Sequence, residues 1–134
     1  MCPDVAHTPF LNVIIQRHNN DCSVACLAML LGLSYEQVMV AFKHNVVRHG
    51  STIRQLQGAC RTLGRKLVWS RRLGDLETDT GVLCVRSSKW PHDHLVVLKE
   101  GMIIDTDATV WEQDVFLAAY EAKPVSILRL EEGR

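Results

Sequence analysis

The stretch QRHNNDCSVACLAMLLGL, residues 16–33, decides how the rest of the chain is read. A turn-prone HNND precedes Cys22, and from Cys22 to Leu31 the residues are apolar almost all round, as in a helix buried at the centre of a core. Gly32 is a natural stop for such a helix, and Asp21 stands where a cap would. Cys22 thus opens the helix, Cys26 follows one turn later, and Gln16 lies six residues upstream of Cys22. Packing, a disulfide, a metal site and a nucleophile are the four readings open to these cysteines.

Composition narrows them. The 134 residues, 47% of them hydrophobic, suit one domain with one core, and the expectation is a single domain over 1–134. Five cysteines at irregular spacing argue against a secreted disulfide scaffold and for a reducing, cytoplasmic setting. Formal net charge is zero with no basic block, so nothing calls for nucleic acid or a membrane surface. No apolar run approaches the roughly 20 residues of a membrane span. The start, MCPDVAHTPFLNVII, lacks the basic opening and long apolar core of a signal peptide.

Outward from the first helix, FLNVII upstream reads as a short extended segment. Downstream, Ser34 with Gln37 makes a capping box for a second helix whose stripe is Tyr35, Val38 and Phe42. STIRQLQGACRTLG carries Ile53, Leu56, Ala59, Cys60 and Leu63 at helical spacing and ends at Gly64. The period then changes. KLVWS, GVLCVRS, HLVVLKE, MIIDT and PVSILRL read as strands, KEGM as a tight hairpin turn, and DVFLAAYEA as a short helix before the last strand. Helices first and antiparallel strands after give an α+β class.

A cysteine nucleophile must be a thiolate when it attacks, and the N-terminus of a helix favours negative charge. It needs an imidazole as base and acid, a group to orient that imidazole, and donors for the oxyanion. His94 opens HLVVL and Asp105 closes MIID across the short turn. The two are expected side by side at one end of the hairpin, with Asp107 beyond the strand. Gln16 is placed to offer its amide near the backbone N–H of Cys22.

These residues carry a resemblance. Gln16 to Cys22 followed by ACLAMLLG is similar to the start of the bacteriocin-processing peptidases, papain-like domains that cut leader peptides after a double glycine, usually within an export transporter. HGSTIRQLQGACRTLGRKLVWS and DLETDTGVLCVRSSKWPHDHLVVLKEGMIIDTD continue it, over roughly residues 10 to 110. The resemblance implies a papain-like fold with N-terminal helices packed on a C-terminal antiparallel sheet. It implies Cys22 as nucleophile, His94 as general base and acid, Asp105 as orienting group and Gln16 as oxyanion donor. It further implies a peptide or protein substrate, a transporter or other protein as partner, and no cofactor. Ser23 stands where the family has glycine, and Thr106-Asp107 follow the aspartate in place of proline.

The expected activity is a cysteine peptidase working through a thioester acyl-enzyme. Acyl transfer or deamidation at the same site is the alternative, and an inactive peptide-binding domain is the third. Cys26, Cys60 and Cys84 are read as core, Cys2 as terminal, and His92 as a rim residue. Trp90 either lines a cleft or packs at a strand edge. HDH at 92–94 invites zinc, but no CxxC pair accompanies it, and no metal is expected.

Overall fold

A computed structural model describes residues 21–107 and 109–131. The reading of FLNVII, Gln16 and Cys2 lies outside the described residues. Helix α1, Cys22–Leu31, is buried at every position from Ser23 to Leu30. It ends at Gly32, whose φ of 68° is left-handed, and the N–H of Leu33 reaches back to the Ala28 carbonyl. That closes the last turn in the Schellman manner, for which glycine carries no Cβ penalty.

Helix α2, Tyr35–Met39, has the complete Ser34–Gln37 capping box, and Tyr35, Val38 and Phe42 are buried as their spacing requires. Helix α4, Ile53–Thr62, starts with a second box, Thr52 with Gln55. Between them lies α3, Val46–His49, a single turn capped by the Asn45 side chain on the Arg48 N–H. Sequence periodicity did not announce it, because four residues are too few to show a helical stripe.

Strands β1 (Leu67–Ser70), β2 (Thr80–Ser87), β3 (His94–Lys99), β4 (Met102–Ile104), β5 (Val110–Glu112) and β6 (Ala122–Leu130) form one sheet in the order β1-β6-β2-β3-β4-β5. All neighbours are antiparallel. The three-residue edge strand β5 escaped the sequence reading, since three residues hold barely one period of alternation. Helix α5, Gln113–Ala119, precedes β6 as expected.

The sheet is covered on both faces, which is why β2 and β3 read as nearly unbroken apolar runs. Val82, Val97, Ile104 and Leu128 pack with α1, α2 and α4. Leu83, Val85, Val96, Leu98, Ile103 and Ile127 pack around Phe116 of α5. This is an α+β architecture with the N-terminal helices laid on an antiparallel sheet, and α1 lies against β3.

The β3–β4 turn is Glu100-Gly101, with φ of 49° and 82° and Lys99 paired with Met102. Both central residues are left-handed, as in a type I′ turn, which suits the twist of the flanking strands.

Candidate active site

Cys22 is the first residue of α1 and is half-buried, whereas Asp21 and Ser23 on either side of it are buried. The Asp21 backbone carbonyl accepts from the N–H groups of Val24 and Ala25. Its carboxylate does not cap the helix. It accepts instead from the Tyr35 hydroxyl at 2.6 Å, a buried bond that ties α1 to α2. This corrects the expected side-chain cap: a buried charge goes to the strongest donor within reach. Ser23 accepts from the Ser51 hydroxyl at 2.6 Å.

His94 opens β3, and its Nε2 lies 2.7 Å from Asp105 Oδ1. The side chains meet, but in a different register from the one expected. Val97 faces Ile104, Leu98 faces Ile103 and Lys99 faces Met102. Continued, that register sets Val96 against Asp105 and His94 against Asp107. Asp105 is therefore the diagonal neighbour of His94, on the same side of the ladder and within reach of a long side chain. The chain also leaves the ladder after Ile104. The Asp105 N–H bonds the Thr109 carbonyl at 2.9 Å, and Asp107 turns to the Thr109 N–H at 3.1 Å and to its hydroxyl.

Asp105 is buried, and its Oδ1 also accepts from the Thr106 N–H at 2.7 Å. Thr106 thus supplies a backbone donor to this carboxylate, a bond that a proline at this position would have no N–H to make. Cys22 neighbours His94 closely enough to act on its proton. Burial pushes the His94 imidazole down, but the bond to Asp105, the neighbouring Cys22 and the charges on both outweigh burial and raise the pKa to about 9. With Nε2 on Asp105, Nδ1 is the ring nitrogen left for the Cys22 sulfur. The Trp90 ring stands edge-on to His94 at 5.4 Å between centroids and extends into an aromatic cluster with Phe116 and Tyr120. Trp90 therefore both packs and flanks the site.

The other described cysteines are buried. Cys26 donates to the Leu95 carbonyl at 3.2 Å, and burial, with Cys22 and Asp105 adding to it, pushes its thiol well up. Burial raises Cys60 to about 11. It does the same to Cys84, with Asp93 contributing. His92 is exposed, next to but not in the chain from Cys22 to Asp105. Among the described residues no three His, Cys, Asp or Glu side chains converge as a metal site would need. Two partners had no local signal in the sequence. Tyr35 holds Asp21, and Arg86 forms a two-pronged ion pair with Asp93 at 2.8 and 2.9 Å. Each pair depends on strand or helix packing and not on spacing along the chain.

No protein-family model and no curated protein matches the sequence. Solved structures do match. A double-glycine motif protease from an AMS/PCAT transporter, solved with its leader peptide, superposes with a TM-score of 0.67 at 24% identity, covering 90% of each chain. The peptidase domain of Streptococcus ComA, a bifunctional ABC transporter of a quorum-sensing pathway, superposes at 0.62 with 18% identity, over 90% of this chain and 96% of that one. At such identities the likeness is one of fold, and the fold of this chain is the papain-like fold of the double-glycine leader peptidase domains.

Proposed function

We propose that this chain is a single cysteine peptidase domain that cleaves a leader peptide after a double-glycine-like site. The observation that supports the reading is the His94–Asp105 pair at 2.7 Å on the β3–β4 hairpin, with Cys22 at the start of α1 beside the imidazole. Asp105 holds the imidazole with Nε2 toward itself, and with the imidazole pKa raised to about 9 the proton shared with Cys22 rests on Nδ1 before the attack. The thiolate attacks the scissile carbonyl, and the tetrahedral oxyanion accepts from donors at the start of α1 and from the Gln16 amide. The carbon–nitrogen bond breaks, His94 gives its proton to the leaving amine, and a thioester remains on Cys22. Water, deprotonated by His94, then attacks the thioester, releasing the acid and the Cys22 sulfur.

No helix among the described residues is long and apolar enough to cross a membrane. The partner in this reading is an exporter or another protein that delivers the precursor in the cytoplasm. Leader peptides ending in two glycines, incubated with the protein, should be cut after the second glycine. Cys22→Ala should abolish the cut, and Gln16→Ala should slow kcat by about 100- to 1000-fold with KM little changed. Uncut peptide under all conditions sinks the peptidase reading. Deamidation of a glutamine side chain without chain cleavage would favour the alternative chemistry.

A further inference from the structure

An open groove of about 770 Å³ lies one side chain away from His94, lined among others by Arg86, Trp90, His92, Asp93, Glu121 and Lys123. Its volume lies within the range of peptide- and ligand-sized cavities. Cys22 is not in its lining, whereas Trp90 is, and Trp90 is the residue whose ring stands against His94. Neither His94 nor Cys22 lines the groove, and the Trp90 ring is what joins it to the imidazole.

That position has a chemical meaning. The acyl half of a substrate is held on Cys22. The leaving amine must sit at His94, which supplies its proton, so the segment after the scissile bond departs past the imidazole. The groove's charges are mostly cancelled. Arg86 is clamped by Asp93, and Lys89 at the rim pairs with Glu121 at 3.0 Å. Lys123 is exposed and has no carboxylate partner among the described residues. The lining's own charges balance, but Lys89 from outside it neutralises Glu121 as Arg86 neutralises Asp93, and this leaves the Lys123 ammonium as the uncompensated charge facing the groove.

Resting on the peptidase reading above, we infer that the groove between the β2–β3 loop and the start of β6 binds the substrate segment on the leaving side of the scissile bond. It prefers acidic side chains there through Lys123. The leader sets where the acyl group lies, and this groove reads the residues on its C-terminal side.

Acyl-enzyme capture tests this apart from the peptidase reading. A peptide thioester ending in Gly-Gly is used to acylate Cys22, and Ala-Asp-Asp or Ala-Lys-Lys amide is added as acceptor. The acceptor nitrogen forms the new bond to the acyl carbon, Cys22 leaves as thiolate, and the amine proton passes to His94. The ratio of captured to hydrolysed product is internal to each enzyme form, so it is independent of the acylation rate. The acidic acceptor should capture about 3- to 5-fold more than the basic one, as an exposed ion pair allows. Lys123→Glu should reverse the order, and added salt should erode the preference. Arg54→Glu, the same charge change on α4 outside the groove, should keep the order. Equal capture of both acceptors, or a preference untouched by Lys123→Glu, overturns the groove assignment while the peptidase reading stands. Failure to acylate Cys22 at all overturns both.

Discussion

Asp105 and Asp107 lie two residues apart, and the sequence set Asp105 beside His94 with Asp107 beyond the strand. The structure gives them different work. Asp105 is buried on the imidazole, while Asp107 is exposed and ties a turn to Thr109. Asp105→Ala should lower turnover by about 10²- to 10⁴-fold in a folded protein, since the imidazole loses the group that fixes its orientation. Asp107→Ala should cost some thermal stability and little activity. Steady-state kinetics with melting curves on both variants checks this, and a crippled Asp107 variant beside an active Asp105 variant overturns it. The cysteines divide as clearly. Cys22 is half-exposed, whereas burial holds Cys26, Cys60 and Cys84 as high-pKa thiols. Brief iodoacetamide treatment near neutral pH, followed by peptide mapping, should find the label on Cys22 ahead of these three. Label on Cys84 or Cys60 first would contradict the assignment.

Among the elements, β2 carries the tightest constraint. Gly81 pairs with Arg129 of β6, and a Cβ there would lie 2.1 Å from the Leu128 carbonyl oxygen. That is backbone against side chain, with no flexible end to yield. Gly81→Ala must push β2 and β6 apart at the middle of the sheet, at a cost of about 3 kcal/mol or more. Urea unfolding should show the midpoint falling accordingly, and an unchanged midpoint would mean the strands already have slack. The helices are less constrained. The box at Ser34 is legible as a serine followed three residues on by glutamine, and it forms, whereas the second box, Thr52 with Gln55, was found only in the structure.

Across the whole molecule, the site joins the helical layer to the sheet, so its protonation is linked to folding. His94 titrates at about 9 in the folded protein, against 6.5 for an ordinary histidine. A raised histidine pKa means the folded state binds the proton more tightly than the unfolded chain. The stabilisation is therefore fully present below about pH 6.5 and is lost as pH rises through about 9. Its size is on the order of 3 kcal/mol. Asp105→Asn removes one source of the upward shift and should lower the His94 pKa. Chemical denaturation at about pH 6 and about pH 10 should show this loss in the parent and a smaller one in Asp105→Asn. An equal loss in both would place the linked proton elsewhere.

The features legible in the sequence all rest on short-range physics. The all-round apolar run from Cys22 and the glycine that stops it specified a buried first helix. The Ser34 capping box placed the start of the second helix, the spacing from Ile53 to Leu63 marked another, and the change of period after Gly64 specified helices before strands. Glu100-Gly101 between two apolar runs specified a two-residue hairpin, which put His94 and Asp105 near one another. The register came from tertiary packing, in which the imidazole meets its carboxylate diagonally because the chain leaves the ladder after Ile104. Packing also gave Asp21 to Tyr35 instead of to the helix end, inserted β6 between β1 and β2, and drew Arg86 onto Asp93. The reason is common to all of these. Caps and turns are settled within a few residues, whereas the partner of a buried charge and the neighbour of a strand are chosen by the groups that packing brings within bonding distance.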